Sequence, residues 1–159
     1  MLLRRLLVET FAPEIYEKIL YDGEKHFSIA QVDRMIDKTI IVNGCSKSYA
    51  MTGWRSGYAA GPKEVINLMG KIISQETSNA CSITQKASLE ALTGPQESVE
   101  IMRKAFEERR NYVVERLNKI NGVICPKPKG AFYVFPEISS FYGSKIKNSA
   151  ELCKFDVGT

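Results

Sequence analysis

Cysteine and histidine are scarce in this sequence: four Cys and one His among 159 residues. Cys45, Cys81, Cys125 and Cys153 never fall in a CxxC spacing, so no recognisable zinc ligand set is present and no metal site is expected. Thiols this sparse are expected to be buried and reduced, as in a cytoplasmic protein. Long apolar runs are missing too. None approaches the ~18 residues a membrane helix needs, so no membrane partner is expected. The opening MLLRRLLVETFAPEIY has two arginines, but Glu9 interrupts its apolar stretch and no small-residue cleavage site follows; it does not read as a signal peptide. Charge of one sign is nearly balanced, with 22 Lys+Arg against 18 Asp+Glu and a net +4. The excess is dispersed along the chain and gives no argument for nucleic acid. What remains is 44% hydrophobic and 25% charged, with seven Phe and seven Tyr. That is one domain's length with enough apolar material for a core, and neither disordered nor repetitive.

Residues 15–21 (IYEKILY) mix β-branched, aromatic and charged side chains, read as a strand, and end at the turn signal Asp22-Gly23. Residues 39–43 (TIIVN) form a short apolar β-branched run stopped by Gly44, the pattern of a buried strand. Residues 57–60 (GYAA) suggest another strand, and Gly61-Pro62 opens a helix over about Lys63–Glu76. Its apolar stripe is Val65, Met69 and Ile72, with Ile66 and Ile73 beside them. Ser82-Ile83-Thr84-Gln85 reads as a capping box for a helix reaching about Leu92. Gly94-Pro95 opens a third helix, apolar at Val99, Met102, Phe106, Val113, Leu117 and Ile120 and running to about Lys119. At 1.5 Å per residue it is ~35 Å long, enough to traverse one domain and leave it. Beyond Asn121-Gly122, the segment AFYVF (131–135) reads as a strand closed by Pro136, and Asn148 with Glu151 as the cap of a last helix. Trp54 is expected in the core, and His26 on a surface loop.

The chemistry-bearing stretch follows the buried strand directly: Gly44-Cys45-Ser46-Lys47-Ser48-Tyr49-Ala50-Met51-Thr52-Gly53-Trp54-Arg55-Ser56-Gly57-Tyr58. A lysine just past a strand end sits at the rim of a sheet, where α/β proteins place ligands. Partial burial lowers an amine's pKa, and the neutral amine can attack a carbonyl. Arg55, eight residues on and flanked by Gly53 and Gly57, offers a planar fork suited to phosphate. A carbonyl-seeking lysine and a phosphate-seeking arginine on one loop describe a site for pyridoxal 5'-phosphate, an aldehyde bearing a phosphate. The pattern S-K-x5-G-x-R-x-G fixes five residues, which at ~6% each arise by chance about once in a million starts.

This segment resembles the lysine signature of the class I/II aminotransferases, the fold-type-I pyridoxal-phosphate enzymes, and its wording S-K-S-Y-A-M-T-G-W-R-x-G-Y is most similar to the aspartate-aminotransferase-like branch. The resemblance extends over most of residues 14–155. E-I-Y-E-K-I-L-Y-D-G is similar to the strand and turn ahead of the lysine, T-S-N-A-C-S-I-T-Q-K-A-S-L-E-A-L to the helix after it, and P-K-G-A-F-Y-V-F-P to the first small-domain strand. The implied fold is α/β: part of a large domain with a mostly parallel sheet and helices, a long interdomain helix, and the start of a small α/β domain. The implied boundaries are 14–95, 96–120 and 121–159, with 1–13 standing outside the family. The implied activity is amino transfer between an amino acid and a 2-oxo acid. Lys47 would form the Schiff base and shuttle the proton, Arg55 would hold the phosphate with Ser46 beside it, and Tyr16 would hydrogen-bond the cofactor's phenolic oxygen. Ser78 and Asn79 would reach across a dimer interface.

One departure is sharp. The family's D-x-x-Y places an aspartate three residues before the tyrosine, and here that position is Pro13. Proline cannot pair with a protonated pyridine nitrogen, and Glu14 would point to the other face of a strand. Residues 1–13 read as foreign sequence joined at Glu14, and the whole as an internal fragment truncated at both ends, inactive by itself. Other fold-type-I chemistries (a β-lyase, or an aminocyclopropane-carboxylate-synthase-like enzyme) and a non-catalytic, self-associating remnant are the alternatives. Apolar helix stripes beside an incomplete sheet predict a homo-oligomer.

Overall fold

A computed structural model describes residues 10–156. The chain divides into two compact units, the first ending at Arg103 and the second starting at Lys104.

The first unit is built on a three-stranded sheet in the order β1 (Thr10–Pro13), β2 (Thr39–Gly44), β3 (Gly57–Ala60). β1 runs parallel to β2, pairing Thr10 with Thr39 and Pro13 with Val42. β3 runs antiparallel to β2, pairing Asn43 with Tyr58 and Gly44 with Gly57. The sheet is therefore mixed. Parallel return needs a crossover of a dozen or more residues, usually a helix, whereas the chain between β2 and β3 turns straight back through the short helix α1 (Cys45–Ser48). Pro13 is tolerated because, among the described residues, β1 has a single strand neighbour; the next N–H, that of Glu14, donates to Val42 O at 2.9 Å.

The strand expected over 15–21 is instead a series of turns. Glu17 N–H bonds Glu14 O at 3.0 Å and Ile19 N–H bonds Tyr16 O at 2.8 Å, so these backbone groups are used locally, and only Leu20 is a bridge residue. Its apolar residues are still core: Ile19 and Tyr21 are fully buried, with Ile40 and Cys45. The strand at this edge is residues 10–13, which the sequence did not mark.

Helix α2 (Lys63–Glu76) has the expected bounds, and α3 (Ser82–Thr93) ends one residue later than expected. The capping box does not form. Cys81, not Ser82, is the N-cap of α3, and Gln85 turns its amide to Ala80 O at 2.7 Å. The 22-residue α4 (Glu97–Asn118) spans the boundary between the units. Near its start, Arg103 pairs with Glu100 and donates to Leu20 O at 3.2 Å.

In the second unit, Arg110 is buried and donates to Pro128 O at 2.6 Å. Asn118 at the end of α4 grips Cys125 twice, donating to its carbonyl at 3.0 Å and accepting its N–H at 2.8 Å. Residues 131–135 are not a strand. Ala131 takes a left-handed backbone at φ 59°, and Phe132 stacks on Phe106 with ring centroids 5.3 Å apart. Outside this segment, Ile124 and Glu137 form an isolated antiparallel bridge. The last helix, α5 (Ser149–Asp156), starts as expected: Asn148 Oδ1 accepts the Glu151 N–H at 2.9 Å. Two thiols depart from expectation: Cys45 and Cys125 are buried, but Cys81 and Cys153 are exposed, and all four are free. Trp54, expected in the core, is 45% exposed. Among the described residues, no helix is long and apolar enough to cross a membrane.

Candidate functional site

The C-terminal end of β2 delivers the chain into α1, a single turn carrying Cys45, Ser46, Lys47 and Ser48. The backbone then closes into a loop whose two ends are tied: Cys45 N–H donates to Ser56 O at 3.3 Å. Lys47 and Arg55 thus lie on one closed loop, as their spacing suggested. A side chain at Gly44 would not fit, because its Cβ would stand 2.6 Å from Ser56 O. This glycine lets the two strand ends approach.

Two residues of the loop hold left-handed backbone without being glycine: Ala50 at φ 54° and Arg55 at φ 53°. Such positions cost about 1–2 kcal/mol each and persist where surrounding structure holds them. The holding contacts are visible. Ser48 Oγ donates to Ile15 O at 3.3 Å, which ties the lysine turn to the Tyr16 turn. Thr84 Oγ1 on α3 donates to Trp54 O at 3.1 Å, and Ser88 Oγ to Ser56 Oγ at 2.7 Å. Thr84 and Ser88 are both buried, one helical turn apart, so one face of α3 braces the segment around Arg55. Arg55 itself is exposed, with Nη1 donating to Thr52 O at 3.0 Å. Ser46 and Lys47 are half-buried, as is Tyr16. Ser78 and Asn79 lie apart from this loop, on an exposed turn between α2 and α3 where Ser78 is left-handed at φ 63°.

Several residues beside the loop were not singled out in the sequence. Burial pushes the Tyr58 phenol above its ordinary pKa, and the charge of Glu17 adds to the rise, followed by Cys45, Tyr49 and Glu14. Tyr49 is raised in the same way, by burial first and then by Glu17 and Cys45. Glu14 does not face this loop unattended. Its carboxylate meets His26 Nε2 at 3.0 Å and accepts a bond from Ser28 Oγ. Strand register could have revealed part of this, since Asn43 and Tyr58 pair and therefore share a sheet face.

The raised phenols carry a pH consequence. A Tyr pKa higher in the folded than in the unfolded chain gives stability that is present below the unfolded value and lost as pH rises through the folded one. Absorbance titration at 295 nm, read as the difference between the chain and Tyr58→Phe, is expected to show Tyr58 ionising above free tyrosine. Glu17→Gln is expected to bring that midpoint down. A midpoint at or below the free value contradicts the assignment.

Of the four polar groups of pyridoxal phosphate, the aldehyde, the phosphate and the phenolic oxygen have side chains of fitting chemistry here, the last in Tyr16, and the ring nitrogen does not. The aldehyde end has Lys47, and the phosphate end has Arg55 and Ser46 on the same tied loop. The ring nitrogen has no carboxylate at position 13, and the neighbouring carboxylate of Glu14 is engaged by His26 and Ser28.

Comparison with known proteins supplies the wider frame. The family described as "Aminotransferase class I and II" matches residues 4–153, a match that begins ahead of Glu14. The aspartate/prephenate aminotransferase of Cereibacter sphaeroides is 48% identical over 152 residues, covering 95% of this chain and 38% of its own length. The aspartate aminotransferase of Geobacillus stearothermophilus is 54% identical over 124 residues, covering 77% of this chain and 32% of its own. The crystal structure of an aspartate aminotransferase from Rhizobium meliloti superposes with a TM-score of 0.89 at 42% identity, over 97% of this chain and 40% of that one. The chain thus spans under two fifths of the length of these curated relatives.

Proposed function

The chain belongs to the class I and II aminotransferases, and from that premise we propose that it carries the lysine-bearing part of a pyridoxal-phosphate site for amino transfer between an amino acid and a 2-oxo acid. The observation that carries this reading is the closed loop that holds Lys47 and Arg55 together, tied by Cys45 N–H to Ser56 O and braced by α3. When bound, the cofactor supplies the electron withdrawal that labilises bonds at a substrate's α-carbon.

This chain's own residues do the rest. Lys47 Nζ would hold the cofactor at its aldehyde carbon and, when released as a free amine, would move the proton at the substrate's α-carbon. The Arg55 guanidinium and the Ser46 hydroxyl bind the phosphate. The Ser48–Ile15 bond ties the turn that carries Tyr16 to the lysine turn, and the Tyr16 hydroxyl would donate to the cofactor's phenolic oxygen. Ser78 and Asn79, on their exposed turn, belong to the surface used in pairing with a second copy, and the intact protein works as a cytoplasmic homo-oligomer. The aspartate-type relatives favour acidic amino acids among the substrates. Pro13 supports a second reading, in which the same loop survives in a protein that binds the cofactor poorly and does not transaminate.

Borohydride reduction of the chain with pyridoxal phosphate, followed by peptide mapping, tests the site directly. Lys47 is expected to carry the label, and Arg55→Ala to reduce it. Labelling spread over Lys63, Lys71 and other exposed lysines would show that the loop assembles no site.

A further inference from the structure

The first turns after β1 bring together a donor set that the cofactor reading does not use. Glu14, Glu17 and His26 each offer a ligand atom, and the three atoms lie within 4.8 Å of one another. We propose that these three side chains form a binding site for a divalent ion of zinc type.

Two carboxylates and an imidazole, with a fourth position left to water, is a donor set that suits zinc. Donor atoms at zinc bond lengths of 2.0–2.2 Å and tetrahedral angles stand about 3.3 Å apart. Glu14 Oε2 and His26 Nε2 are already 3.0 Å apart, and a carboxylate oxygen of Glu17 lies within 4.8 Å of the donor atoms of both. Ser28 Oγ holds the second oxygen of Glu14, which fixes that carboxylate as an outer hydrogen bond does in metal sites. The side chain of Glu14 is only 10% exposed and that of His26 33%, so the donor set is partly withdrawn from solvent. Two carboxylates close together, one of them largely enclosed, form an acidic spot that a divalent cation can offset. The imidazole sets the preference: magnesium and calcium favour all-oxygen sets.

The site stands whether or not pyridoxal phosphate binds, so it is tested without the cofactor. The probe is zinc chloride titrated calorimetrically into the full chain in phosphate-free buffer. Cys81→Ser and Cys153→Ser form the background, because those exposed thiols take up zinc independently. One ion per chain is expected. His26→Ala and Glu17→Gln are each expected to weaken binding at least about tenfold, and magnesium chloride is expected to give no comparable binding. Far-UV circular dichroism checks that each variant is folded. Should His26→Ala unfold, Glu17→Gln, which keeps the side chain's shape, decides alone. The absence of one-to-one binding at ~100 µM zinc, or an affinity that Glu17→Gln leaves unchanged, overturns the proposal.

Discussion

With aspartate, 2-oxoglutarate and added pyridoxal phosphate, the purified chain is expected to turn over no faster than its Lys47→Ala variant. The reason lies at Pro13. Amino transfer through a pyridoxal ring requires the ring to accept charge, and a carboxylate on its nitrogen keeps that nitrogen protonated. Position 13 has no charge to give, and the fold leaves no easy substitute. Pro13 is fixed in β1 opposite Val42, and the Glu14 N–H is committed to Val42 O. The Glu14 carboxylate, the nearest in sequence, is held by His26 and Ser28. Removing one preorganised electrostatic partner typically costs ~10²–10³ in rate. Poor substrate positioning multiplies that loss, since orientation alone can be worth about 7–11 kcal/mol. The measurement is a coupled assay for oxaloacetate, with Lys47→Ala as the background. Turnover that Lys47→Ala abolishes would contradict the expectation and would mean that a carboxylate other than residue 13 serves the ring. A rise on Pro13→Asp would locate the deficit at that one position.

Gly44→Ala is expected to lower the urea midpoint clearly and to reduce borohydride labelling of Lys47 with it. The added methyl would stand 2.6 Å from Ser56 O and 3.1 Å from Gly57 Cα, both backbone atoms that cannot rotate away. Relief requires β2 and β3 to separate where they end, which stretches the Cys45–Ser56 bond that closes the lysine loop. Overpacking of this kind costs about 1–3 kcal/mol, a large share of the roughly 5–15 kcal/mol that holds a domain folded. Gly53→Ala is the control. It lies in the same loop, has no positive φ, and its Cβ would meet nothing within 4 Å, so its midpoint should stay near that of the parent chain. Equal midpoints for the two variants would show that the close approach at Gly44 does not constrain the loop.

The sequence by itself determined the parts that local chemistry dictates. Apolar periodicity and the Gly-Pro signals located α2 and α4, because a helix satisfies its own backbone and needs no distant partner; α3 was located by a capping signature that does not itself form. The apolar run 39–43 located β2, and the spacing S-K-x5-G-x-R-x-G located the candidate site, because lysine, arginine and glycine there are bound by chain distance alone. Everything that depends on a partner from elsewhere was decided by tertiary structure. Residues 131–135 have strand-like composition, yet find no ladder and turn Phe132 onto Phe106. Residues 10–13 have no comparable signal, yet become β1 because Thr39–Val42 offers a parallel edge. β3 runs antiparallel because the lysine loop returns directly. Cys81 displaces Ser82 as the cap of α3, and Trp54 stays outside while its carbonyl accepts from Thr84. The meeting of Glu14 with His26 and Ser28 joins residues 12 and 14 positions apart. No period or motif encodes such contacts; they exist only once the turns after β1 have closed.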